Sequence, residues 1–451
     1  MRRAVILVLL YAGLQLVFPL GARRPETLAL PIFGFLILAA YTVGELAGSA
    51  RLPKLVGYLA AGFVFGPAVL GTVPVDVVDF LEPVSELAVA LIAFLAGAEL
   101  QWKELRDRGV VILKLLGAEL GLTFLALTLT LMAMHSFVPS LANAPMREVV
   151  VFAVLFGSVA IVHSPAVTMA MLSETGARGP VARTTLGVVL VADVAVVVLF
   201  SLTLAMTRIL VPAPTSGAEA VALLTIVWEV VGAVLVGAVL GGLIAMYLRF
   251  FEHQLFIFAL IVAYFAAEIA GLLHVERLLM LLVAGFVAEA AAGGKGEKLR
   301  HSMERAAAPV FVVFFALAGA AIQPDAVVDM WLLVIPLCLV RAASIWGGTR
   351  IGATWAGTAE PERRYVWMGL LSQAGVAIGL AAIVSSVYPQ RGEDLQTLFL
   401  AMIAINQVVG PILFRRALQK SGELSDTPLG HTHDHEAFTP SAGSPRSTSP
   451  A

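Results

Sequence analysis

The chain has 451 residues, 59% of them hydrophobic and only 13% charged. A soluble domain carries about 25% charged residues, which excludes an ordinary soluble protein. A formal net charge of −2 supplies no basic face for a nucleic acid, and a single cysteine excludes a disulfide framework or a Cys-built metal site.

What remains is one polytopic membrane domain, and the mean hydropathy of +0.92 agrees. A helix needs about 20 apolar residues to cross the hydrocarbon layer. That rule places spans at about 4–20, 27–48, 53–71, 83–101, 109–134, 147–172, 180–207, 219–248, 253–271, 275–291, 305–323, 328–353, 363–388 and 394–418. The first, "MRRAVILVLLYAGLQLVFPLGA", has the basic start and short apolar core of a signal peptide. Its end, "PLGA", is a poor cleavage site, so a retained helix is the favoured reading and the total is 13 or 14.

Span 5 carries Lys114 and Glu119 at membrane depth, and Lys114 is close enough to the loop to snorkel. Span 6 is interrupted. Pro165 removes a backbone donor and clashes with the preceding turn, and His163 and Ser164 are polar groups beside it. A Pro-kinked packing helix is the simpler reading of this span alone. Imidazole titrates at about pH 6.5, so His163 is either a pH-sensing proton carrier or a neutral core histidine bonded to a carbonyl. Span 7, "TTLGVVLVADVAVVVLFSLTLA", holds one charged group, Asp193. A charge at that depth costs about 2.5–3.5 kcal/mol on insertion scales and is usually functional. A carboxyl out of water also keeps its proton more readily, which suits a group that trades a proton for a cation.

Glu229 in span 8 and Glu268 in span 9 are further acids with no assigned role. In span 12, Arg341 cannot lose its charge and needs either an acid or the carbonyl end of a half-helix. Cys338 nearby reads as a small packing residue. Span 13 has Ser372, Gln373, Gly375 and Gly379 near its centre, a second place where the helix can break. Residues 419–451 are rich in Ser, Thr, Pro and Gly, and read as a disordered tail. His431, His433 and His435 can hold a metal ion weakly, but a solvated tail is the simpler reading.

Two short motifs recur in the same order. "AGFV" stands at 61–64 and 284–287, and "LAGAELQ" at 95–101 is echoed by "LAGAAIQ" at 317–323. The near-constant offset pairs spans 2–7 with spans 9–14. One repeat then covers about 27–207, the other about 253–418, with 219–248 as a linker helix. A shift of seven spans inverts the topology. Inverted repeats with interrupted helices at the midplane are an architecture of secondary transporters. Lys and Arg in or flanking alternate loops number 18 on one side and 6 on the other, which puts the C-terminus in the cytoplasm.

Five stretches together, "LPKLVGYLAAGFVFGP", "LIAFLAGAEL", "HSPAVTMAMLSETGARGPVARTTLGVVLVADVAVVVLF", "SQAGVAIGLA" and "VVGPILFRRAL", resemble the monovalent cation:proton antiporter superfamily, the sodium/proton exchangers, over about residues 30–418. The resemblance implies an all-α fold of two inverted six-helix repeats with crossed discontinuous helices. It implies a mobile core beside a dimerisation domain, and typically a homodimer. Asp193 matches the aspartate that holds cation and proton in alternation. His163 and Ser164 fall beside it, with Pro165, Ser372, Gln373 and Gly375 at the crossing and Arg341 as a structural charge. No glycine-rich nucleotide-binding domain follows span 14, unlike in the nucleotide-gated potassium efflux members.

Three positions depart from the pattern. Many relatives have an acid doublet or Asn-Asp where this chain has Ala192-Asp193. Many have Thr where it has His163, and Lys where it has Ile345. Acid and lysine are missing together, which leaves no buried charge unpaired.

The expected function is exchange of Na⁺ or K⁺ for H⁺ across a bacterial inner membrane, electroneutral because one carboxylate titrates. No cofactor and no bound metal beyond the transported ion are expected. The partners are the cations, protons, the lipid bilayer and a second copy. A non-transporting ion or pH sensor on the same fold, and a related solute symporter, are the alternatives. An enzyme is disfavoured, because no nucleophile–base constellation is present.

Overall fold

The computed structural model describes residues 11–12, 25–100, 102–211, 219–250, 255–292, 294–373 and 375–424. The expected span at 4–20 and the histidines of the tail lie outside the described residues. Among those described, regular structure is helical throughout.

The stretch expected as the first repeat contains α1 (Pro25–Ser49), α2 (Lys54–Phe65), α3 (Val75–Phe80), α4 (Glu82–Glu99), α5 (Trp102–Ala133), α6 (Met146–Ala160), α7 (Pro165–Thr175) and α8 (Pro180–Leu210). Where the linker is expected stands α9 (Glu219–Phe250). The stretch expected as the second contains α10 (Leu255–Leu273), α11 (Arg277–Ala292), α12 (Gly294–Ala320), α13 (Pro324–Asp329), α14 (Trp331–Ala356), α15 (Glu360–Gly369), α16 (Gly375–Val387) and α17 (Pro389–Lys420). Among the described residues, seven helical stretches are long and apolar enough to cross a membrane: 29–49, 106–133, 146–175, 180–210, 228–248, 331–356 and 389–420. Shorter apolar helical stretches are 54–65, 260–273, 307–320 and 376–387. The 53–71 span becomes the 12 residues of α2, about 18 Å of rise, closed by Gly66 and Pro67.

The two breaks have different local causes. At the first, Ser164 caps α7 by accepting the Val167 N–H at 3.2 Å, and Pro165 occupies the first turn, where its missing donor costs nothing. Gly176, at φ 65°, ends α7 in the left-handed conformation. The second break, between α15 and α16, has no proline.

The repeated motifs explain one contact made twice. A Cβ on Gly62 would collide with the Ala316 carbonyl oxygen, and one on Gly319 with that of Leu59. So α2 and α12 approach backbone to backbone. The same holds for Gly97 against the Leu282 carbonyl and Gly285 against that of Phe94, which brings α4 onto α11. Each AGFV motif thus packs on the LAGA motif of the other repeat. That reciprocity is what an inverted pseudo-twofold produces, and glycine is the residue that permits it.

Two hydrophobic clusters result. One joins α1, α2, α4 and α9 to α12, and we refer to it as the scaffold. The other, the core, joins α5, α6 and α8 to α14 through α17. Most of α7 packs against the scaffold cluster although its chain neighbours belong to the core. At one end of the molecule Glu174, on α7, accepts the backbone N–H of Lys54 at 2.9 and 3.0 Å and faces Arg415 at 3.3 Å. A carboxylate there caps the scaffold helix α2 from the core.

Candidate functional site

The site is built where the two breaks meet. A helix ends with carbonyls that have no partner along the chain, and carries about half a negative charge there. Two such ends, those of α6 and α15, lie buried side by side. Arg341, fully buried on α14, satisfies them both. Its Nε donates to the Ala160 carbonyl at 2.9 Å, Nη2 to that of Val162 at 2.9 Å, and Nη1 to that of Leu371 at 2.7 Å. The planar fork of a guanidinium can reach three acceptors at once. Gln373 adds a second donor to Ala160 at 2.9 Å and is held by Asn406 of α17, whose Nδ2 donates to its Oε1 at 2.8 Å.

His163 ties the crossing to α5. Its Nδ1 lies 2.7 Å from the Leu370 carbonyl, and its Nε2 lies 3.1 Å from Oε2 of Glu119. The carbonyl can only accept, so Nδ1 carries a proton. The Nε2–Glu119 contact then holds one further proton between two atoms. Thr123 donates to the other Glu119 oxygen at 3.0 Å. Both members of the pair are buried. Removing one partner of such a pair costs about 3–5 kcal/mol. His163→Thr is therefore expected to lower thermal stability in detergent, and adding Glu119→Gln to recover part of the loss. An unchanged melting temperature in the single variant would contradict the pairing.

Asp193 has a different setting. It sits halfway along α8, and its Oδ1 is buried with no hydrogen-bond partner. It lines an open cavity of about 720 Å³ together with His163, Ser164 and Pro165. The facing wall comes from the scaffold, with Val89 of α4, Leu279 of α11 and Phe314 of α12. Val376, in the first turn of α16, also lines it, so the positive ends of both α7 and α16 border the space beside the carboxylate. A small cation entering there would find one free carboxylate oxygen.

Of the expected site residues, the structure brings Asp193, His163, Ser164 and Pro165 to one cavity. Arg341, Ser372 and Gln373 belong to the crossing but do not line that cavity, and Gly375 begins α16. Ser372 is pressed against Gly410 of α17, and its hydroxyl has no partner. Ala192 and Ile345, where relatives carry an acid and a lysine, are fully buried apolar residues. Lys114 reaches the Trp355 carbonyl at 3.4 Å and stacks on its ring, at the exposed edge and away from the crossing. Sequence reasoning missed Asn406 and Glu276, a second acid in the cavity lining. The signal for Asn406 was an uncharged amide amid the apolar run of span 14. Glu276 had none, because beside Arg277 at a helix start it reads as a loop residue.

A family model for the transmembrane sodium/hydrogen exchanger matches residues 34–420. None of the curated proteins matches the chain. Among solved structures, the sodium proton antiporter MjNhaP1 from Methanocaldococcus jannaschii at pH 8 is similar at a TM-score of 0.65 and 16% identity, covering 89% of this chain and 100% of that one. An electron-microscopy structure of the same antiporter gives 0.68 and 15%, covering 89% and 99%. Those identities show the fold, whereas the family model spans most of the chain and carries the assignment. The chain is a multi-pass membrane protein and belongs to the sodium/hydrogen exchanger family.

Proposed function

We propose that this protein exchanges a monovalent cation, Na⁺ or K⁺, for protons by alternating access, with Asp193 as the shared site. The observation that carries the reading is the unpartnered Asp193 oxygen in a cavity whose walls belong to two different bodies. A buried carboxylate without a partner is costly unless something visits it. A proton and a cation are the two visitors that neutralise it, and one carboxylate holds one at a time. His163 and Ser164 stand beside it as the polar rim of the site. If the core slides along the scaffold, the cavity wall changes while the crossing, fixed by Arg341 and Gln373, travels intact. The Glu174–Lys54 contact would then break and re-form, since it joins core to scaffold. A homodimer in a bacterial inner membrane, with a cytoplasmic C-terminus, completes the proposal.

Exchange should be electroneutral. Ala192 and Ile345 cannot titrate. The three bonded carbonyls hold Arg341 in its charged form. Both ring nitrogens of His163 are engaged, with the Leu370 carbonyl and with Glu119. One carboxylate then moves one charge each way. The test is cation-driven acidification in proteoliposomes, with Na⁺, K⁺ and Li⁺ compared, at zero potential and at −100 mV. An electroneutral cycle runs equally in both, whereas one net charge per cycle would gain about 2.3 kcal/mol per 100 mV. A gradient that follows the potential would refute electroneutrality. No flux with any cation would refute the transport reading.

A further inference from the structure

The cavity beside Asp193 is mostly apolar, yet its lining contains a second acid, Glu276, in the turn that precedes α11. Glu276 is half-buried. Its Oε1 accepts the Leu278 N–H at 3.2 Å, and its Oε2 accepts the Leu279 N–H. Burial disfavours its ionised form, and the two N–H groups it accepts at the helix N-terminus act in the opposite direction. Capping α11 needs only one such acceptor, and Asn or Ser does it as well without charge. An acid in a mostly apolar lining is the feature that capping leaves unexplained.

Its position supplies the explanation. Glu276 belongs to the scaffold and Asp193 to the core, and the two border one space in which Asp193 Oδ1 is unpartnered. We infer that Glu276 is a positioning residue for the transported cation: it concentrates the ion in the cavity and hands it to Asp193. The inference rests on the proposed role of Asp193. Because the two carboxylates lie on different bodies, a sliding core would carry the ion away from Glu276. The attraction therefore operates from one side of the membrane only, and does not trap the ion.

Three forms of the protein test this in right-side-out and everted vesicles: wild type, Glu276→Asn and Glu276→Asp. Asn keeps a cap and loses the charge, and Asp keeps both. With Na⁺ or K⁺ as the varied ion, Glu276→Asn is expected to raise KM about fivefold from the side to which the cavity opens, the scale of one unit charge acting across a few water diameters. KM from the other side and kcat should stay near wild type, and Glu276→Asp should restore KM. Equal KM values in Glu276→Asn and wild type, with flux intact, would overturn this inference and leave the role of Asp193 standing. A KM rise from both sides, or one that Glu276→Asp shares, would reduce Glu276 to a helix cap. Should Glu276→Asn fail to accumulate while Glu276→Asp does not, an ionic-strength series on wild type decides: KM must rise with salt on the cavity side, and a flat response overturns the inference. Absence of cation-driven flux in wild type would overturn both.

Discussion

Asp193→Asn is expected to abolish cation–proton exchange, down to the background of empty liposomes, in a protein that still inserts and folds. Asparagine keeps the shape of the side chain but carries no charge and no exchangeable carboxyl proton. It can neither balance a cation nor compete for it with a proton. The structural cost should be small because the Oδ1 of Asp193 has no hydrogen-bond partner to lose. Removing a charge from mid-membrane recovers part of the roughly 2.5–3.5 kcal/mol that insertion of an acid costs. Melting in detergent should therefore stay level or rise while transport falls to nothing. Loss of fold along with transport would mean that Asp193 is a structural group. Retained flux would mean that the exchanging site lies elsewhere.

The largest expected loss of stability is at Arg341. Arg341→Met keeps an unbranched stem, shorter than that of arginine, and removes all three donors. The Ala160 carbonyl would still have Gln373, but those of Val162 and Leu371 would be buried with no replacement among these side chains. Each buried acceptor left alone costs about 1–3 kcal/mol, so the pair costs about 2–6. Folded proteins hold a margin of only about 5–15 kcal/mol. Arg341→Met should give little monodisperse protein on size exclusion. Arg341→Lys should recover only part, since an ammonium is a point charge and cannot span three separated carbonyls. Wild-type yield and melting in Arg341→Met would contradict the role of the guanidinium at the half-helix ends.

Much of this architecture is legible in the chain because its causes are local. Pro165 forces the break and Ser164 caps the half-helix beyond it, and both are visible as adjacent letters of the sequence. The two AGFV and LAGA motifs announce an inverted repeat, and the structure adds the reason for their glycines, a backbone contact made once by each repeat in the other's company. Asp193 stands out because it is the one acid in its span.

The features that stayed hidden depend on which helices face each other. Hydrophobic periodicity reports how a segment turns about its own axis and is silent on its neighbours. Glu119 on α5 and His163 in the break between α6 and α7 are 44 positions apart, so their pairing could not be read from spacing. Arg341 was legible as a charge in need of an acceptor, but the three carbonyls come from two other segments. The second break was foreseen only from Ser372, Gln373 and glycine, since no proline marks it. Glu276 escaped notice because its place in the cavity is set by how α11 meets α8 across the two bodies.

The claim that cation and proton share one carboxylate is tested most directly without transport at all. Na⁺ or K⁺ is added to purified protein in weakly buffered detergent, and proton release is recorded alongside cation binding, for wild type and Asp193→Asn. The shared-site account predicts one proton released per cation bound in wild type, and neither binding nor release in the variant. Cation binding without proton release in wild type, or release that persists in Asp193→Asn, would contradict it.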